Sequence, residues 1–216
     1  MKLNDYLLSR RTFVASLTAA MAALCWAPGR LQAANQALIR KTIPGTGEAL
    51  PVIGLGSSRT FDIGSDQAAL ASLVAVMQAF FANGGQVIDS SPMYGSAESV
   101  IGELLRRSGR QNKLFAATKV WTDGEQNGIR QMQDSLAKWG LERFDLMQIH
   151  NLRDWQVHLR TLRDWQATGK VRYIGITTSH GRYHEELETL LRNEQFDFVQ
   201  LSYNIADRSV EQRLLP

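Results

Sequence analysis

Four side chains able to hold or move a proton are spaced along this chain: Asp89, Tyr94, Lys119 and His150. Asp89 closes the run Gln86-Val87-Ile88-Asp89, and Lys119 lies near the end of Leu114–Val120. His150 follows Phe144–Ile149, and Tyr94 sits in the loop Ser90-Ser91-Pro92-Met93-Tyr94-Gly95. Singly, each has a plain structural use: a loop cap, a packed aromatic, a solvated amine, a satisfied core histidine. At the ends of successive strands they carry more meaning. A phenol titrates near pKa ~10 and is a poor acid at neutral pH. A neighbouring ammonium favours phenolate and lowers that value, and a carboxylate beside the ammonium keeps it charged and in place. An imidazole can hold a substrate oxygen. The set suits a carbonyl whose oxygen takes a proton while its carbon takes a hydride. No side chain supplies a hydride, so a cofactor is implied.

The elements that must position these groups alternate. Leu38–Ile43 and Leu50–Val52, around Gly45-Thr46-Gly47-Glu48, read as a hairpin. Val52–Gly56 reads as a strand. The spacing of Leu70, Leu73, Val74, Met77, Phe80 and Phe81 predicts a helix over 65–83, ended by Gly84-Gly85. A strand over 86–89 follows, then a helix capped by Ser96, a strand over 114–120, and a helix opened by a capping box at Asp123 and Gln126. Strands over 144–149, 171–176 and 196–201 are separated by helices around Leu159–Trp165 and Leu187–Leu191. A last helix is expected from Ser209.

Strands recurring about every 25–30 residues, each followed by a helix, define an α/β protein with a parallel sheet. Gly54-Leu55-Gly56 lacks the third glycine of a dinucleotide fingerprint, so a doubly wound fold is not supported. In a (β/α)8 barrel all strand C-termini open on one face, where the four groups converge. Six barrel strands are counted where closure takes eight. The sequence therefore reads as C-terminally incomplete, with two further βα units expected, roughly 50–60 residues. A piece of this length on its own is expected to fold poorly and not to turn over.

The first thirty-three residues read as an address. Arg10-Arg11-Thr12-Phe13-Val14 precedes an apolar stretch of about a dozen residues, too short to hold a membrane span, and Leu31-Gln32-Ala33 offers a peptidase exit. The twin arginines resemble a twin-arginine (Tat) signal, so the translocation machinery is an expected partner and the periplasm the expected location, with no stable anchor after cleavage. Cys25, the only cysteine, falls in this segment, which rules thiol chemistry, cysteine metal sites and disulfides out of residues 34–216. The formal charge of +3 also falls there: Lys2, Arg10, Arg11 and Arg30 stand against Asp5. The remainder carries 20 basic and 20 acidic residues, so no nucleic-acid surface is indicated. No metal site is expected.

From residue 38 onward the sequence resembles the aldo/keto reductases. The resemblance rests on Val52–Gly56, on Asp89–Gly95 with Glu98 and Gly102, and on Ala117-Thr118-Lys119. It continues in Asp145–Asn151, Gly169–Ile176 and Val199–Asn204. It implies a (β/α)8 TIM barrel with a hairpin over its bottom, NADPH as cofactor and a small-molecule carbonyl substrate. It implies Tyr94 as general acid, Lys119 paired with Asp89 lowering its pKa, and His150 orienting the carbonyl. Cofactor contacts would fall to Gly56, Ser57, Ser58, Asp89, Thr177, Thr178 and Gln200. Thr177-Thr178 stands where the family usually has Ser-Asn. Phe61, Trp121 and Asn151 are placed near the substrate mouth, with core packing open to the two aromatics. Two other readings remain: a barrel enzyme forming a Schiff base on Lys119, which borohydride trapping would reveal, and a non-catalytic relative.

Overall fold

The computed structural model describes residues 38–108 and 114–215. The segment 1–33 expected to be a signal, with Cys25, and the domain boundary expected at residue 34 lie outside the described residues. Two short strands, β1 (Arg40–Thr42) and β2 (Ala49–Pro51), pair antiparallel as the hairpin. Six more strands follow: β3 (Leu55–Gly56), β4 (Val87–Asp89), β5 (Phe115–Val120), β6 (Phe144–Ile149), β7 (Val171–Thr177) and β8 (Phe198–Gln200). They pair in sequence order, every pair parallel, as a curled half-barrel. Helices α1 (Gln67–Ala82), α2 (Ala97–Ser108), α3 (Glu125–Trp139), α4 (Trp155–Ala167) and α5 (His184–Asn193) fill the crossovers. Among the described residues no helix is long and apolar enough to cross a membrane.

Strand parity decides what each face does, because successive side chains point to opposite sides. Ala116, Val120, Met147, Ile149, Ile174 and Ile176 pack outward with the helices in the larger apolar core. Phe115, Ala117, Leu146 and Tyr173 point inward and form a second cluster with Ile43 of the hairpin. The inward series continues upward to Asp89, Lys119, Gln148, Thr177 and Gln200. The lumen is thus apolar below and polar at the strand C-termini. The hairpin is pinned beneath. Glu48 pairs with Arg172 and accepts from the Tyr173 hydroxyl at 2.8 Å, and Arg172 also donates to Asp145 at 2.6 Å. Helix α2 lies hard against α3: a Cβ on Gly102 would stand 1.8 Å from the Lys138 carbonyl oxygen.

Four local expectations are corrected. The strand expected over Val52–Gly56 is only Leu55–Gly56, because the Val52 amide bonds back to Ile39 and prolongs the hairpin, leaving Val52 and Ile53 exposed. Ser96 precedes α2, but its hydroxyl donates to Asp62 and accepts from the Gly64 amide. The capping box at Asp123 does not form. Its carboxylate takes a two-pronged ion pair with Arg153, and α3 starts after Gly124 with no side-chain cap. The helix expected from Ser209 is a 3-10 turn, Ser209–Gln212, with Val210 its only buried residue, too little apolar surface to hold an α-helix.

Candidate active site

The site is built at the C-terminal ends of β4, β5 and β6. Lys119 is 1% exposed, and its Nζ donates to Asp89 Oδ2 at 2.6 Å and to the Ser90 carbonyl at 2.7 Å. Asp89 Oδ1 accepts from Gln148 Nε2 at 2.9 Å, and Gln200 Nε2 lies 3.4 Å from Oδ2. Room for Gln148 comes from Gly175 on the next strand, where a Cβ would meet Gln148 Cγ at 2.8 Å. The Lys119 ammonium lies 5.1 Å from the centre of the Tyr94 ring. His150 stands edge-on to the same ring, centroids 5.8 Å apart. The four residues singled out by type and spacing therefore do meet.

One expectation about their electrostatics is reversed. The Tyr94 phenol is not acidified; burial, and then the negative charge of Asp89, push it up to about 12. The positive charge of Lys119 is taken up by Asp89. Tyr94 thus keeps its proton at neutral pH, the state a proton donor must start from. Lys119 is drawn below its usual value by burial, opposed by Asp89. Burial, with the Lys119 charge second, depresses His150 to about 3 and keeps its ring neutral.

The other candidate residues line the same rim. Gly56 pairs with Asp89 in register, and nothing stands within 4 Å of where its Cβ would be. Both the amide and the hydroxyl of Ser57 donate to the Asp89 carbonyl, at 3.1 and 2.9 Å, so this side chain ties β3 to β4. Ser58 is exposed beside it. Thr177 Oγ1 accepts the Asn151 amide at 3.1 Å. The Thr178 amide bonds to the Gln200 carbonyl, while its buried hydroxyl has no partner among the described residues. Gln200 is exposed. Of the three residues placed near the mouth, Phe61 is core, 2% exposed. Trp121 is half-buried with the Arg153 guanidinium 4.7 Å over its ring. Asn151, Leu152 and Asp154 all adopt left-handed backbone directly after His150. Such strain collects at functional loops. Here it is held by the Thr177 bond and by Ser179, whose hydroxyl donates to Asn151 Oδ1.

Spacing alone did not mark the supports. Gln148 shares strand parity with His150, which is the sequence signal that points it into the site. Glu98 is 1% exposed and accepts from Thr118 at 2.6 Å and Ser135 at 2.9 Å, joining α2, β5 and α3 behind Lys119. Ser91 bonds to His150 Nδ1 at 2.9 Å. Among the described residues no group of three His, Cys, Asp or Glu side chains forms a metal site.

A parallel half-barrel carrying a buried lysine–aspartate pair, a phenol and an imidazole at its C-terminal rim defines a class of barrel protein with a catalytic-type site. The sequence profile of the Aldo/keto reductase family matches residues 52–216, and the chain belongs to that family. It is 30% identical to methylglyoxal reductase YeaE of Escherichia coli over 174 residues, 78% of this chain and 60% of that protein. It is 24% identical to aldo-keto reductase YhdN of Bacillus subtilis over 193 residues, 81% of this chain and 56% of that protein. A solved aldo-keto reductase from Klebsiella pneumoniae in complex with NADPH superposes with a TM-score of 0.68 at 27% identity, covering 83% of this chain and 64% of that one. The matched region thus spans 60% and 56% of the lengths of these two curated relatives.

The buried histidine makes stability depend on pH. Unfolded, His150 binds a proton below about 6.5; folded, it does so only below about 3. Between those values stability falls as pH falls, by up to about 1.4 kcal/mol per unit. Urea midpoints at pH 7 and pH 4 should show His150→Gln losing about 3 kcal/mol less than the unmutated chain over that interval. Equal losses in both would contradict the burial of a neutral imidazole.

Proposed function

We propose that this protein reduces an aldehyde or ketone to the alcohol with NADPH as the hydride source. The observation that carries the reading is the Lys119–Asp89 ion pair set against the Tyr94 ring, with His150 across from it. NADPH, when bound, supplies the hydride to the carbonyl carbon. Tyr94, protonated at neutral pH, gives its proton to the carbonyl oxygen as negative charge builds there; an alkoxide is a stronger base than a phenolate. Lys119 stabilises the phenolate left behind, and Asp89 fixes Lys119. His150, neutral, orients the oxygen. General acid catalysis of this kind contributes typically ~10²–10⁴-fold. The rim suits the cofactor: Gly56 has open space, the Thr178 hydroxyl is buried with no partner among the described residues, and Gln200 is exposed. Gly56, Ser58, Thr178 and Gln200 would hold the nicotinamide end, with Ser57, Asp89 and Thr177 shaping the floor. The Klebsiella relative in complex with NADPH and the E. coli relative named for methylglyoxal support this choice of cofactor and substrate class. A Schiff base on Lys119 is disfavoured, since its nitrogen already holds two acceptors.

We further propose export by the twin-arginine route, on the strength of Arg10-Arg11-Thr12-Phe13-Val14 and the peptidase exit before Ala34. Fractionated cells should show Arg10→Lys/Arg11→Lys protein retained in the cytoplasm; unchanged periplasmic protein would reject this address. For the activity, NADPH consumption over a panel of small carbonyls, 2-oxoaldehydes included, is the first assay. Tyr94→Phe should lower kcat by about 10²–10⁴-fold while NADPH still binds, as read by quenching of protein fluorescence. Undiminished turnover in Tyr94→Phe would remove Tyr94 from its role, and a wild type inert on the whole panel would favour the non-catalytic reading.

A further inference from the structure

Ser91 stands between the two halves of the site. It lies two residues after Asp89 and three before Tyr94, and it is fully buried. Its hydroxyl oxygen is 2.9 Å from His150 Nδ1 and accepts the Met93 amide at 3.2 Å. The neighbouring Ser90 carbonyl is one of the two acceptors of Lys119. Ser90 and Ser91 thus bond directly to Lys119 and His150 respectively.

The proton between Ser91 and His150 has two possible owners. A hydroxyl carries one proton and two lone pairs, and a neutral imidazole carries one proton on either nitrogen. Were it on Nδ1, the Ser91 oxygen would accept both that N–H and the Met93 amide. The hydroxyl proton would then be buried with no acceptor among the described residues, an arrangement that typically costs more than a hydrogen bond returns. With the hydroxyl donating to Nδ1, both atoms of the buried contact are satisfied: Met93 donates to Oγ, Oγ–H donates to Nδ1, and the ring proton lies on Nε2, away from Ser91. The ring is neutral at working pH, so both nitrogens are not donors at once.

We infer that Ser91 is a positioning residue that sets the tautomer of His150, holding its proton on Nε2 by donating to Nδ1. Nε2 has no partner among the described residues. On the reductase reading proposed above, its N–H is free to donate to the substrate oxygen that Tyr94 protonates, so that two donors meet one acceptor. The tautomer assignment itself does not depend on that reading.

The test is long-range ¹H–¹⁵N correlation of the histidine rings in the uniformly labelled protein. The His150 signals are assigned by their loss in His150→Gln. The expected result is a protonated Nε2 and an unprotonated, hydrogen-bonded Nδ1, unchanged between pH 5 and pH 8. A proton on Nδ1 in the wild type would overturn the inference outright. In Ser91→Ala the Nδ1 resonance should move toward that of an imidazole nitrogen accepting no bond, and Ser91→Thr should bring it back. An Nδ1 resonance unmoved in folded Ser91→Ala would equally overturn it. In turnover, Ser91→Ala should lower kcat about tenfold with KM little changed, and Ser91→Thr should recover it; a loss confined to KM contradicts the positioning role. If the wild type does not reduce carbonyls, the reductase reading fails, while the ring signals still decide the tautomer.

Discussion

The site depends on a lysine that has almost no contact with water. An ammonium moved from water to a protein interior loses several kcal/mol of hydration, and it stays charged only where acceptors replace the water. Asp89 Oδ2 and the Ser90 carbonyl do so. Asp89 then needs its own support, which Gln148 gives, and Gln148 fits only because Gly175 has no side chain. The Asp89 carbonyl is held by Ser57, which fixes β3 against β4. On the other face of β5, Thr118 is held by Glu98 from the first turn of α2, four residues after Tyr94. The strand that bears the lysine and the segment that bears the phenol are thereby tied together. Removing one partner of such a buried pair typically costs 3–5 kcal/mol. The geometry of the rim and the stability of β4 and β5 are one problem.

The two ends of the lumen divide the work. Below, Ile43, Phe115, Leu146 and Tyr173 form one apolar cluster, and the Glu48–Arg172–Asp145 network clasps the hairpin. Above, the same parity delivers polar groups, and the loop after His150 carries left-handed backbone at Asn151, Leu152 and Asp154. That loop is paid for by bonds to Thr177, Ser179 and Gly124.

Much of this was legible from residue type and spacing. The alternation of apolar strand and helix specified a parallel α/β architecture, and the quartet's location at strand ends foretold its convergence. What escaped notice depended on contacts between distant segments. The capping box at Asp123 had the right spacing, but Arg153, thirty residues on, takes the carboxylate. Val52-Ile53 is apolar, yet the hairpin claims it before the barrel does. From sequence, a lysine kept charged by its carboxylate partner is expected to lower the Tyr94 pKa. The carboxylate that fixes the lysine also cancels its charge, and burial adds to the effect. Ser91 and Gln148 lie within the motifs of the resemblance, but their roles come from the side chain each touches.

The account is tested most directly by following the hydride. The protein would be incubated with NADPH deuterated at the transferable position of the nicotinamide and with a small aldehyde that it consumes. The product alcohol would then be read by mass spectrometry and proton NMR. The expected result is one deuterium on the former carbonyl carbon of each alcohol, with the hydroxyl proton drawn from solvent. Alcohol without deuterium at that carbon, or aldehyde consumed with no alcohol formed, would contradict a carbonyl reductase built on Tyr94 and Lys119.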